Sequence, residues 1–107
     1  MNPTFGLTEM TIEKIRAILS RHSEVDQVVI YGSRAKGNYK NGSDIDLTLH
    51  GAGLTRQILA QIADELDDLL LPYTIDLSIF EQLSDPDFID HIRRIGVVFY
   101  EKQPHLV

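Results

Sequence analysis

The strongest indication of fold in this chain is the segment Gly32-Ser33-Arg34-Ala35-Lys36-Gly37-Asn38-Tyr39-Lys40-Asn41-Gly42-Ser43-Asp44-Ile45-Asp46-Leu47. In this segment, ten residues separate a Gly-Ser turn from an Asp-x-Asp pair. A glycine lets the backbone approach a phosphate closely, and two carboxylates can share a divalent metal ion. A turn that can hold phosphate and an acidic pair that can bind a metal ion are the least that a site for a nucleoside triphosphate requires.

Strands are predicted on both sides of this segment and again further along the chain. The predicted strands are Gln27–Tyr31, Asp44–Leu49, Tyr73–Phe80 and Val97–Tyr100. The first is apolar at consecutive positions, which is typical of a strand covered on both faces. The second and third alternate polar and apolar residues, which predicts half-buried strands with one polar face.

Three amphipathic helices are predicted between the strands. The first runs from Thr8 to Arg21, with Thr8 as its N-cap and an apolar stripe of Met10, Ile15, Ile18 and Leu19. The second runs from Thr55 to Leu71, with Ile58, Leu59, Ile62, Leu66, Leu69 and Leu70 on its buried side. The third is capped by Asp85 or Ser84, has Pro86 in its first turn and a stripe of Phe88, Ile89, Ile92 and Ile95, and ends at Gly96. This alternation predicts an α/β fold with helices packed on one face of the sheet and a polar face left open.

The length and composition limit the kinds of protein that this chain can be. Its 107 residues predict a single domain over 1–107, with a core of about 8–100 and a flexible tail at 101–107. The sequence has no cysteine and no apolar run near the ~20 residues that cross a bilayer. We expect no export signal either, because no apolar segment follows a basic N-terminus. We therefore expect a cytoplasmic protein with no membrane partner.

The charge distribution bears on the kind of ligand. The net charge is -6, and residues 51–107 carry four basic and ten acidic side chains. Such an acidic surface argues against direct nucleic-acid binding. Arg34, Lys36 and Lys40, however, place positive charge between the turn and the aspartates. That pattern suits a compact polyphosphate better than a long polymer.

Three acids are candidates for one metal site. If the strand of Asp44 and Asp46 lies beside the strand of Asp76, all three carboxylates project from the same polar face. Two such charges at ~4 Å would repel by about 4 kcal/mol at an effective dielectric of 20, a cost that a divalent cation removes. Because all the candidate ligands are oxygen atoms, Mg²⁺ or Mn²⁺ is favoured over zinc. Asp76 could act either as a metal ligand or as the general base for the attacking group.

The turn supplies the candidates for binding the nucleotide. Gly32 would let the backbone approach a phosphate, and Ser33 could donate a hydroxyl and an amide to it. Arg34 or Lys36 could neutralise the phosphate charge. These residues predict that the triphosphate end of a nucleotide is held beside the acids.

Together these residues resemble the minimal nucleotidyltransferases of the DNA polymerase β superfamily. The family pattern Gly-Ser, ten residues, Asp-x-Asp is present as Gly32, Ser33, Asp44 and Asp46, and Asp76 stands on a following strand where the family keeps its third carboxylate. The resemblance implies a mixed β-sheet of the polymerase β palm-like, nucleotidyltransferase fold. It also implies that the three acids bind the catalytic metals, that Asp76 activates the acceptor hydroxyl, and that the turn holds the triphosphate.

The resemblance covers roughly residues 25–100 and extends to a biological setting. Many such stand-alone domains look like the antitoxin half of a pair whose other half is a helical HEPN-type ribonuclease. The family can transfer AMP from ATP to a tyrosine hydroxyl of that toxin. Larger family members carry a further lobe that selects base and acceptor, and we expect no such lobe within these 107 residues. A drug-modifying transferase of the kanamycin type therefore ranks low.

Other interpretations remain open at the level of sequence. A binding module could neutralise a partner by complex formation alone, and a glycine-rich hairpin before a solvated acidic strand would have no catalytic role. The apolar stripe of the second helix leaves a homo-oligomer or partner surface open. The four histidines are scattered over different elements, so we expect them to be structural or exposed.

Overall fold

The computed structural model describes residues 5–103 and contains one four-stranded mixed sheet flanked by helices. The helices are α1 (Glu9–Ser20), α2 (Gly32–Lys36), α3 (Arg56–Asp67) and α4 (Pro86–Ile95). The strands are β1 (Gln27–Tyr31), β2 (Ile45–His50), β3 (Ile75–Ile79) and β4 (Val97–Glu101). A single 3₁₀ turn, Phe80–Gln82, follows β3.

The strand order in the sheet is β3-β2-β1-β4. β1 pairs antiparallel with both β2 and β4, whereas β2 and β3 run parallel. A parallel pair needs a long crossover, and α3 supplies it. This topology confirms the predicted α/β fold class with a mixed β-sheet.

The hydrophobic core lies between one face of the sheet and the helices α1 and α3. On β2, Ile45, Leu47 and Leu49 are fully buried, so the predicted alternation of the strand places its apolar residues in the core. Thr8 caps α1 as predicted, because its side chain accepts a hydrogen bond from the N–H of Thr11. None of the helices within residues 5–103 is long and apolar enough to cross a membrane.

Two apolar residues assigned to helix stripes lie in solvent instead. Met10 is 66% exposed, because the buried stripe of α1 begins at Ile12. α3 ends at Asp67, four residues before the predicted end at Leu71, and Leu70 follows it with a φ of 56° and 87% exposure. A residue with positive φ cannot continue a helix, so the leucine run does not extend the buried face.

The position of α4 differs from that of the other long helices. Its residue Phe88 packs edge-on against Tyr31, with ring centroids 5.4 Å apart, and Tyr31 points away from the core face of the sheet. Of the predicted stripe of α4, only Ile92 is fully buried. α4 therefore covers part of the polar face, which the sequence predicted to be open, because a helix with a single narrow apolar edge can pack beside polar groups.

The chain end is anchored further than predicted. Glu101 is the last residue of β4, and the N–H of Lys102 donates to the carbonyl of Asp26 at 2.9 Å. Residues 101 and 102 are therefore anchored to the sheet, although the sequence predicts a flexible tail from residue 101. The rest of that expectation, for 104–107, lies outside the described residues.

Candidate functional site

The site is built on the parallel pair β2 and β3. Asp46 lies directly opposite Asp76 in the register of this pair. Residues that face each other across a parallel pair point to the same side of the sheet. Because the neighbouring Ile45 and Leu47 are in the core, the two carboxylates project from the opposite face. The adjacency that the sequence could only assume is present in the structure.

The charges of the acids act on one another. Burial raises the pKa of Asp46 above its usual value, and the negative charges of Asp76 and Asp44 and a shared hydrogen bond with Asp76 raise it further. The positive field of His91 on α4 opposes this shift. A cation is favourable beside an acid whose pKa is raised by burial and by nearby negative charge. The negative charges of Asp44 and Asp76 thus both act on Asp46.

The three acids do not by themselves form a complete cage. Asp44 is exposed and stands just before β2, where the N–H of Ile45 donates to the carbonyl of Thr74. Within residues 5–103, no three His, Asp or Glu side chains are already arranged to hold a metal ion. Asp46 and Asp76 nevertheless offer adjacent oxygen ligands with unfavourable repulsion, and this donor chemistry fits Mg²⁺ or Mn²⁺.

The Gly-Ser turn lies directly beside the acids. Gly32 has a φ of 74°, and a β-carbon at this residue would overlap Oδ2 of Asp46. Only glycine allows both this backbone conformation and this approach. Ser33 follows at the start of α2 and is half-buried. The segment predicted as a loop thus opens with a short helix, which Gly37 ends in the left-handed conformation.

The two predicted phosphate-binding cations have different surroundings. Arg34 is only 3% exposed, and its guanidinium donates hydrogen bonds to the carbonyls of Ser43 and Phe5. Its position does not support the predicted role in neutralising phosphate, because its donors are committed within the fold. Lys36 is exposed at the end of α2, and its role in phosphate binding stays a prediction.

Four further polar residues belong to the site. Tyr31 lies opposite Asp46 on β1, and burial, Asp46 and Asp76 raise its pKa, which Ser78 partly offsets through a hydrogen bond. Ser78 also donates to the buried Thr48 at 2.9 Å. Thr48 and Ser78 stand two residues beyond Asp46 and Asp76, so strand alternation could have placed them beside the acids. No sequence signal indicates His91, because its place depends on how α4 packs.

Comparison with a protein-family model gives one match over most of the chain. The model described as "Polymerase beta, Nucleotidyltransferase" matches residues 13–105. This range includes the Gly-Ser turn and all three acids. No curated protein matches the sequence.

Several solved structures with a similar fold are toxin–antitoxin complexes. A toxin–antitoxin structure with AMP-PNP has a TM-score of 0.70 at 21% identity, covering 86% of this chain and 74% of the other. Tri-AMPylated Shewanella oneidensis HEPN toxin in complex with MNT antitoxin has a TM-score of 0.66 at 18% identity, covering 88% and 72%. The toxin–antitoxin MntA–HepT has a TM-score of 0.66 at 18% identity, covering 89% and 74%. At these identities the likeness is one of fold.

Proposed function

The chain belongs to the polymerase β nucleotidyltransferase family, and from this we propose that it transfers AMP from ATP to a tyrosine hydroxyl of a HEPN-type toxin, acting as an antitoxin. One observation carries the proposal. Asp46 pairs with Asp76 across parallel strands, and the backbone of Gly32 lies against the Asp46 carboxylate. A phosphate held at the turn would therefore lie beside the acids that its transfer requires.

The proposed reaction is an in-line displacement at the α-phosphorus of the nucleotide. The acceptor oxygen forms a bond to this phosphorus, the bond from phosphorus to the oxygen that bridges to the β-phosphate breaks, and pyrophosphate leaves with that electron pair. The acceptor proton passes to the carboxylate of Asp76, which is the proposed general base. Gly32 and Ser33 hold the phosphates in line, while Lys36 is proposed to neutralise their charge.

Asp44, Asp46 and Asp76 are the proposed ligands of Mg²⁺ or Mn²⁺. A bound dication would offset the charge of the acids and phosphates and lower the pKa of the acceptor hydroxyl. The raised pKa of Asp46 supports this assignment, since burial and then the negative charges of Asp76 and Asp44 cause it, and a bound dication would offset both effects. Asp46 and Asp76 would contribute from the sheet, and the exposed Asp44 from the loop before it.

The nucleotide and acceptor are proposed from the neighbouring structures. One of them contains AMP-PNP, and another is a complex whose HEPN toxin is tri-AMPylated. These features support ATP as the donor and a HEPN-type helical protein as the acceptor.

The test is mass spectrometry of a HEPN-type toxin supplied as the acceptor. After incubation with this protein, Mg²⁺ and ATP, we expect the partner to gain the mass of one or more AMP groups on tyrosine, and GTP, CTP or UTP to give less product. A double variant, Asp44→Asn with Asp46→Asn, should give no gain. The matched control is Asp64→Asn with Asp67→Asn, which removes the same charge from the exposed side of α3 and should transfer normally. No mass gain with any of the four triphosphates would refute the proposal.

A second candidate is a binding module that neutralises its partner without chemistry. It is favoured by one observation, the absence of a preformed three-ligand metal site within the described part of the chain. The same double variant separates the two functions. If it neutralises the partner as well as the unaltered protein does, the binding module is correct and transfer is not required.

A further inference from the structure

We propose that Arg34 is a positioning residue that fixes Asp44 at the candidate metal site by holding the carbonyl of Ser43. The inference rests on the proposed metal-dependent transfer. In this role Arg34 does not bind phosphate. It acts on Asp44 through the backbone of Ser43.

The hydrogen bonds of Arg34 converge on one loop carbonyl. Its Nε and Nη2 both donate to the oxygen of Ser43, at 3.0 and 2.8 Å, and Nη1 donates to the oxygen of Phe5 at 2.8 Å. Two parallel donors on one acceptor hold both the distance and the angle of that carbonyl. Because Ser43 immediately precedes Asp44, this contact fixes the start of the residue that carries the acid.

Two aromatic rings hold the guanidinium itself. Its central carbon lies 4.8 Å from the ring centroid of Tyr73 and 5.4 Å from that of Tyr39. Tyr73 leads into β3, the strand of Asp76, and Tyr39 belongs to the loop. Arg34 thus links the loop before Asp44 to the segment that leads into the strand of Asp76. Cation–π contacts add stability and limit the rotation of the guanidinium.

Among the described residues, few other hydrogen bonds restrain the loop between α2 and β2. Residues 36–42 are exposed. Inside the loop, the N–H of Ser43 donates to the carbonyl of Lys40, and the N–H of Lys40 donates to the hydroxyl of Ser43. These bonds close a small turn but do not attach it to the sheet. On the other side of Asp44, the N–H of Ile45 is tied to the carbonyl of Thr74. Asp44 therefore lies between two anchors, and Arg34 provides the first.

The charge of Arg34 alone does not explain its place. Among residues 5–103, no carboxylate forms an ion pair with it. The planar guanidinium offers donors in a fixed fork and a flat face that stacks on a ring, and a lysine ammonium offers neither. Arg34→Lys keeps the charge and removes this geometry, so it separates positioning from a purely electrostatic effect.

The experiment measures Mn²⁺ binding in the presence of AMP-PNP by electron paramagnetic resonance, together with hydrogen exchange of the amides in 37–45. We expect Arg34→Lys to weaken Mn²⁺ binding about tenfold, the usual scale for groups that orient a metal ligand. Exchange at Ser43 and Asp44 should become faster. The control is Arg16→Lys, because Arg16 also donates to a carbonyl, that of Phe99 at 2.7 Å, and lies over its ring at 5.3 Å, but on α1. This control should change neither measurement.

The outcomes distinguish the inference from the proposed function. Unchanged Mn²⁺ affinity in a folded Arg34→Lys variant, with the unaltered protein binding the ion, overturns the inference alone. Absence of Mn²⁺ binding in the unaltered protein contradicts the proposed function, and exchange at Ser43 and Asp44 then decides whether Arg34 anchors the loop. If Arg34→Lys does not fold, Tyr39→Leu removes one stacking ring and keeps the hydrogen bonds, and the same measurements should shift in the same direction. No shift in that variant also overturns the inference.

Discussion

The backbone of Gly32 lies so close to Asp46 that a β-carbon at residue 32 would overlap the carboxylate oxygen Oδ2. This relationship joins the two halves of the Gly-Ser and Asp-x-Asp pattern, which stand on different elements. It explains why the turn must begin with glycine. It also means that the smallest possible side chain at this position should disturb the site.

We expect Gly32→Ala to lower transfer activity by about 100-fold, because displacement of a catalytic group by about 1 Å can have this effect. The matched control is Gly37→Ala. Gly37 has a φ of 90°, and a β-carbon there would meet nothing within 4 Å. The control should lose only roughly 1 kcal/mol in the free energy of unfolding, which is the cost of a left-handed conformation for a residue other than glycine. Urea unfolding gives the stabilities, and equal activity in the two variants would contradict this account.

The raised pKa of Asp46 predicts a stabilising substitution. In the folded protein Asp46 holds its proton more tightly than in the unfolded chain, so its ionisation opposes folding. This cost is fully present above the folded-state pKa and disappears below the ordinary pKa of an aspartate. Without metal, Asp46→Asn removes this cost and should raise the free energy of unfolding at pH 7. The gain should be no more than about 1 kcal/mol, because solvent screens the charges at this partly open site.

Thermal unfolding in EDTA at pH 7 and at pH 3.5 measures this effect. The Tm difference between Asp46→Asn and the unaltered protein should be positive at pH 7 and shrink at the lower pH. Asp64→Asn, on the exposed side of α3, should show no comparable gain at pH 7. A destabilised Asp46→Asn variant at pH 7 would mean that the acid makes a favourable contact that outweighs the repulsion.

Most of the fold could be predicted because local patterns agree with the tertiary structure. The bounds of β1 match the prediction, and Thr8, Asp85 and Pro86 begin their helices as expected. The failures occur where packing decides. The leucine run predicts that α3 continues beyond Asp67 to Leu71, but the chain makes a turn before Pro72 that leads to β3. Hydrophobic periodicity cannot show which leucine of the run is exposed at that turn.

Leu70 is the residue that makes this turn, and its replacement should stabilise the protein. It has a φ of 56° and is 87% exposed, so Leu70→Gly removes strain and loses little buried surface. We expect a gain of roughly 0.5–1 kcal/mol in the free energy of unfolding, measured by urea denaturation. Leu69→Gly is the control, and it should destabilise because Leu69 packs partly against the core. A loss of stability in Leu70→Gly would show that the side chain makes a stabilising contact.

The sequence predicts the site residues that lie on strands better than those whose position depends on the loop. Strand alternation places Asp46 and Asp76 on polar faces, and the structure adds the register that makes them direct neighbours. Arg34 shows the limit of such reasoning. A cation between a turn and two acids suggests phosphate binding, but its burial and its bonds to Ser43 depend on the path of the loop. A sequence pattern gives the charge of a side chain and not the direction in which it points.

The proposed site also predicts that nucleotide and metal stabilise the fold together. A ligand that binds only the folded state raises stability by RT ln(1 + [L]/Kd), about 2.7 kcal/mol at a hundredfold excess over Kd. AMP-PNP with Mg²⁺ should therefore raise the Tm, whereas AMP-PNP with EDTA should have a much smaller effect, because the phosphates then meet the uncompensated charges of Asp46 and Asp76. Asp76→Asn should reduce the shift with Mg²⁺, and Asp67→Asn on α3 should preserve it. Equal shifts with and without Mg²⁺ would show that the nucleotide binds without using the acids.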